Sequence, residues 1–212
     1  MSEIVSLELL FDHASEARIR GEWRALQELG VSSMGAHASV SNRPHLSLLV
    51  RSGSQGAQRD AGPDLAGAAA GPSPVEPGPS EPSLVDVEAV RDTAGRLPIA
   101  LTLGGPQLFV HGTRAVLARS VVPSVGLLEF HAELHRLAGR EEVAVDLPHR
   151  TPGSWTPHVT LAKRLKLADL ERAVSALDLE PMHVLATELR LWDARAGTTQ
   201  PVVDIIIKRG FA

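Results

Sequence analysis

Two histidines, His45 and His158, sit in matching pentapeptides, Pro44-His45-Leu46-Ser47-Leu48 and Pro157-His158-Val159-Thr160-Leu161. Each copy runs proline, histidine, aliphatic, hydroxyl, leucine. In a β-strand residues i and i+2 project from one face, so each copy presents an imidazole beside a hydroxyl. Two such strands meeting would gather two imidazoles and two hydroxyls around one small volume. Unperturbed imidazole titrates near neutrality, so one ring can take a proton while the other gives one. Such a set suits proton transfer on and off a phosphate ester, with the hydroxyls donating to its oxygens.

The elements that must position these groups repeat as well. Ile4 to Phe11 reads as a strand, with Val5, Leu7, Leu9 and Phe11 on one face. Asp12 is placed to cap a helix carrying Ile19, Trp23 and Leu26, which stops at Gly30. The strand of His45 follows. Ser83 with Asp86 predicts a capped helix to about Gly95, and Ile99, Leu101 and Leu103 a strand closed by Gly104-Gly105-Pro106. In the second half Arg114 to Val122 is a strand and Ser124 caps a helix through Leu127, Phe130 and Leu134 to Gly139. The strand of His158 comes next, then a helix with Leu167, Leu170, Val174 and Leu177 on one face. Met182 to Trp192 and Val202 to Lys208 supply the last strands. Each half reads strand, helix, strand, helix, strand. The expected class is α+β: a bilobal, duplicated sheet-and-helix fold whose mainly antiparallel sheets face a central cleft. Lobe one spans about residues 1–112 and lobe two about 113–212.

Residues 52–82 stand apart, being dominated by Gly, Ala, Pro and Ser. Such a stretch buries too little apolar surface to offset its ordering entropy, so it is read as a flexible insertion within lobe one. Elsewhere a hydrophobic content of 43% with no long apolar run implies a globular chain and no membrane association. The start Met1-Ser2-Glu3-Ile4-Val5 lacks the pattern of a secretory leader, and a cytoplasmic location is expected. With no cysteine, disulfides and thiolate metal sites are excluded. A formal net charge of −4 argues against a broad basic face gripping nucleic acid, and no DNA partner is expected. It leaves room for a local basic pocket that takes a nucleotide or a strand end. A monomer is expected.

The motifs His45-Leu46-Ser47-Leu48 and His158-Val159-Thr160-Leu161 resemble the signature of the two-histidine (2H) phosphoesterase superfamily. Within it the chain is most similar to the group of 2′-5′ RNA ligases and RNA 2′,3′-cyclic phosphodiesterases, essentially throughout except for the 52–82 insertion. The resemblance implies an enzyme that opens 2′,3′-cyclic phosphates of RNA ends or small nucleotides to 2′-phosphomonoesters, without metal or other cofactor, and that can run in reverse as 2′-5′ ligation. His45 and His158 would be general acid and base, in an order the sequence leaves open. Ser47 and Thr160 would bind the phosphoryl oxygens, with Ser47 replacing the more usual threonine. Lys163 stands where most relatives carry a phosphate-binding arginine, although simple alternation puts it on the face opposite His158. Trp155 is a candidate base platform, or else core packing. Arg43, with Arg51, Arg150 and Arg164, forms a second tier of cations near the motifs. Other readings on the same fold are a phosphoesterase for a small cyclic nucleotide or an ADP-ribose cyclic phosphate, and a non-catalytic RNA- or nucleotide-binding module.

His131 and His135 share a helix face at i and i+4, but no glutamate directly follows His131 and no third ligand is evident. Metal binding is not expected there, and the pair reads as exposed helix histidines. The insertion gives the first test. Deleting residues 53 to 81 should leave a cooperative thermal transition close to that of the full chain, followed by circular dichroism. A large loss of cooperativity would show that the segment is structural.

Overall fold

The computed structural model describes residues 4–53, 84–139, 144–147 and 149–202. Most of the 52–82 insertion and the strand expected from Val202 to Lys208 lie outside these residues, apart from Ser52, Gly53 and Val202. The fold is mixed α/β with antiparallel pairing throughout, as the element order implies. Eight strands form its sheet: β1 (Ile4–Phe11), β2 (His45–Gly53), β3 (Ile99–His111), β4 (Arg114–Val121), β5 (Ala144–Asp146), β6 (His158–Lys166), β7 (Met182–Asp193) and β8 (Thr198–Pro201). Four α-helices accompany them: α1 (His13–Glu28), α2 (Val87–Arg91), α3 (Val125–Ala138) and α4 (Leu170–Ser175).

Local chemistry sets the helix ends. The Asp12 side chain accepts from the amide of Ser15, satisfying one of the unpaired donors at the start of α1, and Ser124 does the same for Leu127 in α3. Both helices stop where Gly30 and Gly139 take positive φ values of 70° and 51°. At α2 the cap is Asp86, accepting from Ala89, while Ser83 lies outside the described residues; the helix is five residues long and continues as a 3-10 turn over Asp92–Arg96. The helix expected around Leu167 to Leu177 begins as a 3-10 turn at Leu167–Asp169 and becomes α-helical at Leu170.

Pairing runs in the order β1-β2-β6-β4-β3-β7, and β7 also pairs with β1, so six strands close a ring. The third strand of each half has crossed over. The first part of β3 pairs with the first part of β7, through Leu101↔Val184. Beyond that contact β3 joins β4, and β7 joins β1. The sequence places a turn at Gly104-Gly105-Pro106, yet β3 runs through it as an irregularity between Leu103 and Pro106. Here the glycines make a bulge that hands β3 from one partner to the other. A Cβ on Gly104 would stand 2.7 Å from the Ser120 hydroxyl, so the crossing needs a residue without one.

One continuous core lies behind the ring, with Leu7, Leu9, Leu46, Leu48, Val159 and Leu161 from the strands meeting Ile19, Leu26, Phe130 and Leu134 from α1 and α3. Gly104→Ala should therefore cost about 1–3 kcal/mol in denaturant unfolding, the usual scale for overpacking. Adding Ser120→Ala should recover part of that loss, and a double-mutant cycle without coupling would contradict the bulge contact.

Candidate active site

His45 and His158 are the first residues of β2 and β6. Alternation along each strand sends Leu46, Leu48, Val159 and Leu161 into the core, each 1% exposed or less. It leaves His45, Ser47, His158 and Thr160 half-buried on the other face. The two strands touch through one backbone pairing, Leu46↔Val159. One residue to either side of that pair, His45 lies across from Thr160 and Ser47 across from His158. Each imidazole thus faces the hydroxyl of the other motif. In that register the two histidines fall on the diagonal, where sheet neighbours are about 7–8 Å apart.

Both rings are held in the same way. Nδ1 of His45 donates to the carbonyl of Arg43 at 2.7 Å, and Nδ1 of His158 to that of Thr156 at 2.8 Å. With Nδ1 carrying the proton, Nε2 is the nitrogen left for chemistry. The surroundings then differ. Nε2 of His45 is 3.7 Å from Oε1 of Glu8 on the neighbouring strand β1. Glu8 accepts from the Ser6 hydroxyl at 2.7 Å and pairs with Arg190 of β7 at 2.8 Å, with both partners of that pair about 5% exposed. Burial works to raise the Glu8 pKa, but His45, Arg190 and Ser6 together hold it below the usual carboxylate range. Among the described residues no carboxylate pairs with His158 in this way. Its pKa is pushed down to about 4, chiefly by burial, with the charges of Arg150, His45 and Lys163 adding to the shift and the Thr156 bond opposing it.

Sequence reading missed Glu8, because a single acidic residue in a strand reads as its solvent side. Phe109 was missed as well. Its half-buried ring lies 4.6 Å from that of His158, tilted by 52°. It is brought there by the hairpin of β3 and β4, in which Phe109 pairs with Val116, while Ser120 of β4 pairs with His158 itself. Glu8 reaches the site because β1 pairs with β2, where it stands opposite Ser47, and Phe109 reaches it through the strand exchange.

The lower-ranked candidates are spread more widely. Lys163 acts electrostatically on His158. The ladder between β4 and β6 is irregular around Leu117, which resets the alternation after Thr160 and turns Lys163 away from the simple pattern. Arg43 spends its guanidinium on Glu16 and Glu188, at 2.8 and 3.1 Å, while its carbonyl orients His45. Arg51 is 2% exposed and bonded to Asp146, and Arg164 lies exposed with φ 56°. Trp155 packs against the core and stacks on His131 at 3.9 Å with a 4° interplanar angle, so one of its faces is already covered.

That stack corrects the reading of α3. His131 and His135 are buried, 1% and 8% exposed, because α3 turns this face toward β2 and the loop before β6. Nε2 of His131 donates to the carbonyl of Arg150 at 3.0 Å, and Nε2 of His135 to that of Leu48 at 3.1 Å. Asp146 lies 3.4 Å from Nδ1 of His135 and also holds Arg51. Among the described residues no group of three or more His, Asp or Glu is arranged to hold a metal ion. In the same residues, no helix is long and apolar enough to cross a membrane.

A family model described as the 2′-5′ RNA ligase superfamily matches residues 16–198. Among solved structures, Escherichia coli LigT complexed with 3′-AMP is similar at 16% identity and a TM-score of 0.48, covering 94% of this chain and 93% of that one. LigT complexed with NADP+ is similar at 19% and 0.46, covering 95% and 94%. Kluyveromyces marxianus Usb1 follows at 13% and 0.45, covering 94% and 97%. No curated protein matches the sequence.

The buried histidines carry a pH signature. Burial, with the neighbouring His135, pushes the His131 pKa from 6.5 down to about 4, so the neutral ring is what the folded state accommodates. A group whose folded pKa is depressed contributes stability that is present above its unfolded pKa and lost as pH falls through the folded one. Wild-type stability should therefore drop between about pH 6.5 and 4, and by less in His131→Gln, when urea midpoints are measured across that range. Parallel curves would contradict the assignment.

Proposed function

The chain belongs to the 2′-5′ RNA ligase superfamily, and from that premise we propose that it is a phosphodiesterase opening 2′,3′-cyclic phosphates of RNA ends or nucleotides to 2′-phosphomonoesters. The observation that carries this reading is the opposed register of the two motifs across Leu46↔Val159. That register supports a site in which two imidazoles and two hydroxyls share one face of adjoining strands. Reversal of the same step would make a 2′-5′ linkage.

In the hydrolytic direction water attacks phosphorus and the bond to the ribose 3′ oxygen breaks. One imidazole takes the proton from the water, and the other supplies one to the departing oxygen. His158 suits the base, because its buried ring is neutral above about pH 4 and, among the described residues, no carboxylate pairs with it. His45 suits the acid, since Nδ1 and Nε2 both face oxygen acceptors, the Arg43 carbonyl and Glu8. Ser47 and Thr160 donate to the non-bridging oxygens, where they offset the charge that develops in the transition state. Both proton transfers are met by side chains, so no metal is required by the scheme. Lys163 adds positive charge near His158. For a base on the ribose, the half-exposed ring of Phe109 is better placed than Trp155, which already stacks on His131.

The test is turnover of 2′,3′-cyclic nucleotides and of cyclic-phosphate-terminated RNA in EDTA. Activity is expected on at least one, falling at least ~10²-fold in His45→Ala and in His158→Ala. The rate should climb as pH rises through about 4, where His158 loses its proton. A fall at the alkaline side would complete the bell expected of an acid and a base acting together, with apparent values that belong to the pair. Absence of turnover on both substrates, or activity indifferent to either histidine, would sink the reading. The preferred substrate separates RNA ends from small nucleotides.

A further inference from the structure

Arginines around the active face come with carboxylates. Arg43 is matched to Glu16 and Glu188, Arg51 to Asp146, Arg119 to Glu22 and Arg190 to Glu8. Arg150, in the loop leading to β6, is different. Among the described residues its guanidinium makes no hydrogen bond or ion pair, and its one hydrogen bond is through the main-chain carbonyl, to His131. The residue is nonetheless half-buried. Its charge reaches Glu8 on β1, which stands beside His45, and His158 on β6, the second motif histidine. A buried guanidinium has lost part of its hydration without gaining an anion in return, which is costly unless one arrives.

We propose that Arg150 binds the phosphate: its planar fork takes the non-bridging oxygens of a phosphoryl group lying between His45 and His158. This rests on the proposed phosphodiesterase reading. A guanidinium offers two parallel N–H groups to such oxygens, a match that the ammonium of Lys163 cannot make. The backbone below it is fixed, because His131, stacked on Trp155, holds the Arg150 carbonyl at 3.0 Å. The charge balance also calls for it. Glu8 places a carboxylate beside His45, with Arg190 already committed to it. A phosphate entering this volume meets that negative charge, and ring opening adds to its own as the monoester ionises. Arg150 supplies the cation that offsets both.

The experiment titrates inorganic phosphate, 2′-AMP and adenosine into the full-length wild type, Arg150→Gln and Arg150→Lys by calorimetry, alongside turnover of 2′,3′-cyclic AMP. Arg150→Gln should weaken phosphate and 2′-AMP by at least about tenfold, the scale of one charge-assisted hydrogen bond. Adenosine affinity and the thermal transition should stay as in wild type, since the side chain holds no other partner. Arg150→Lys should restore part of the loss. Wild-type phosphate affinity in Arg150→Gln, an equal loss for adenosine, or a wild type that binds no phosphate would each overturn the proposal. Phosphate bound through Arg150 by a protein that turns over no cyclic phosphate would support the anion site while removing the catalytic reading. Full turnover with no dependence on Arg150 would do the reverse.

Discussion

A single backbone pairing, Leu46 with Val159, joins the two strands that carry the histidine motifs. Everything at the candidate site follows from its register. A slip of one residue would turn both imidazoles and both hydroxyls into the core and bring leucines to the surface, since the side-chain period of a strand is two. The leucines and valine behind the motifs are buried to 1% exposure or less, and that burial is what makes the slip prohibitive. The core thereby fixes the chemistry, although no core residue touches it. The outer contacts reinforce the same register: the indole N–H of Trp23 on α1 donates to the carbonyl of Thr160 at 3.1 Å, and His135 on α3 to that of Leu48.

Closing the ring is the second constraint. With only one ladder pair between β2 and β6, these strands would splay unless other strands held them. The crossover of β3 and β7 does this, tying each half to the first strand of the other. The crossover also delivers residues that neither half would supply alone. Arg190 arrives on β7 to clamp Glu8, and Phe109 arrives on β3 to lie against His158. Buried Arg119 binds Glu22 of α1 and the carbonyl of Gly104, anchoring the bulge at which β3 changes partner.

Much of this was legible in the chain. The alternation in the two pentapeptides placed their side chains correctly, and Asp12, Ser124, Gly30 and Gly139 marked helix ends because capping is a local interaction. Most of what escaped was non-local. Gly104-Gly105-Pro106 carries the composition of a turn, and only the presence of β4 beside it makes it a bulge. His131 and His135 read as exposed by residue type, although their spacing from Leu127, Phe130 and Leu134 sets them on the same buried face of α3. Glu8 lies off the apolar face of Val5, Leu7, Leu9 and Phe11 and went unremarked, whereas β2 and β7 flank β1 on both sides. In each case the residue type was plain and its neighbour came from elsewhere in the chain.

The duplicated motif poses a problem that the surroundings resolve. Two equal half-sites would give two equal imidazoles, whereas a fixed acid and a fixed base require that one ring hold its proton more firmly than the other. The pentapeptides cannot supply the difference, since each ring makes the same bond to the carbonyl two residues before it. The difference comes from what stands nearby. Around His45 there is a carboxylate, Glu8, kept ionised by Arg190; around His158 there are burial and the cations Arg150 and Lys163. Duplication thus provides the geometry, and strands and loops outside the repeat break its symmetry. In the proposed reaction these same charges would be the ones that an ester between the two rings meets, so one set of groups would both distinguish the histidines and orient the substrate.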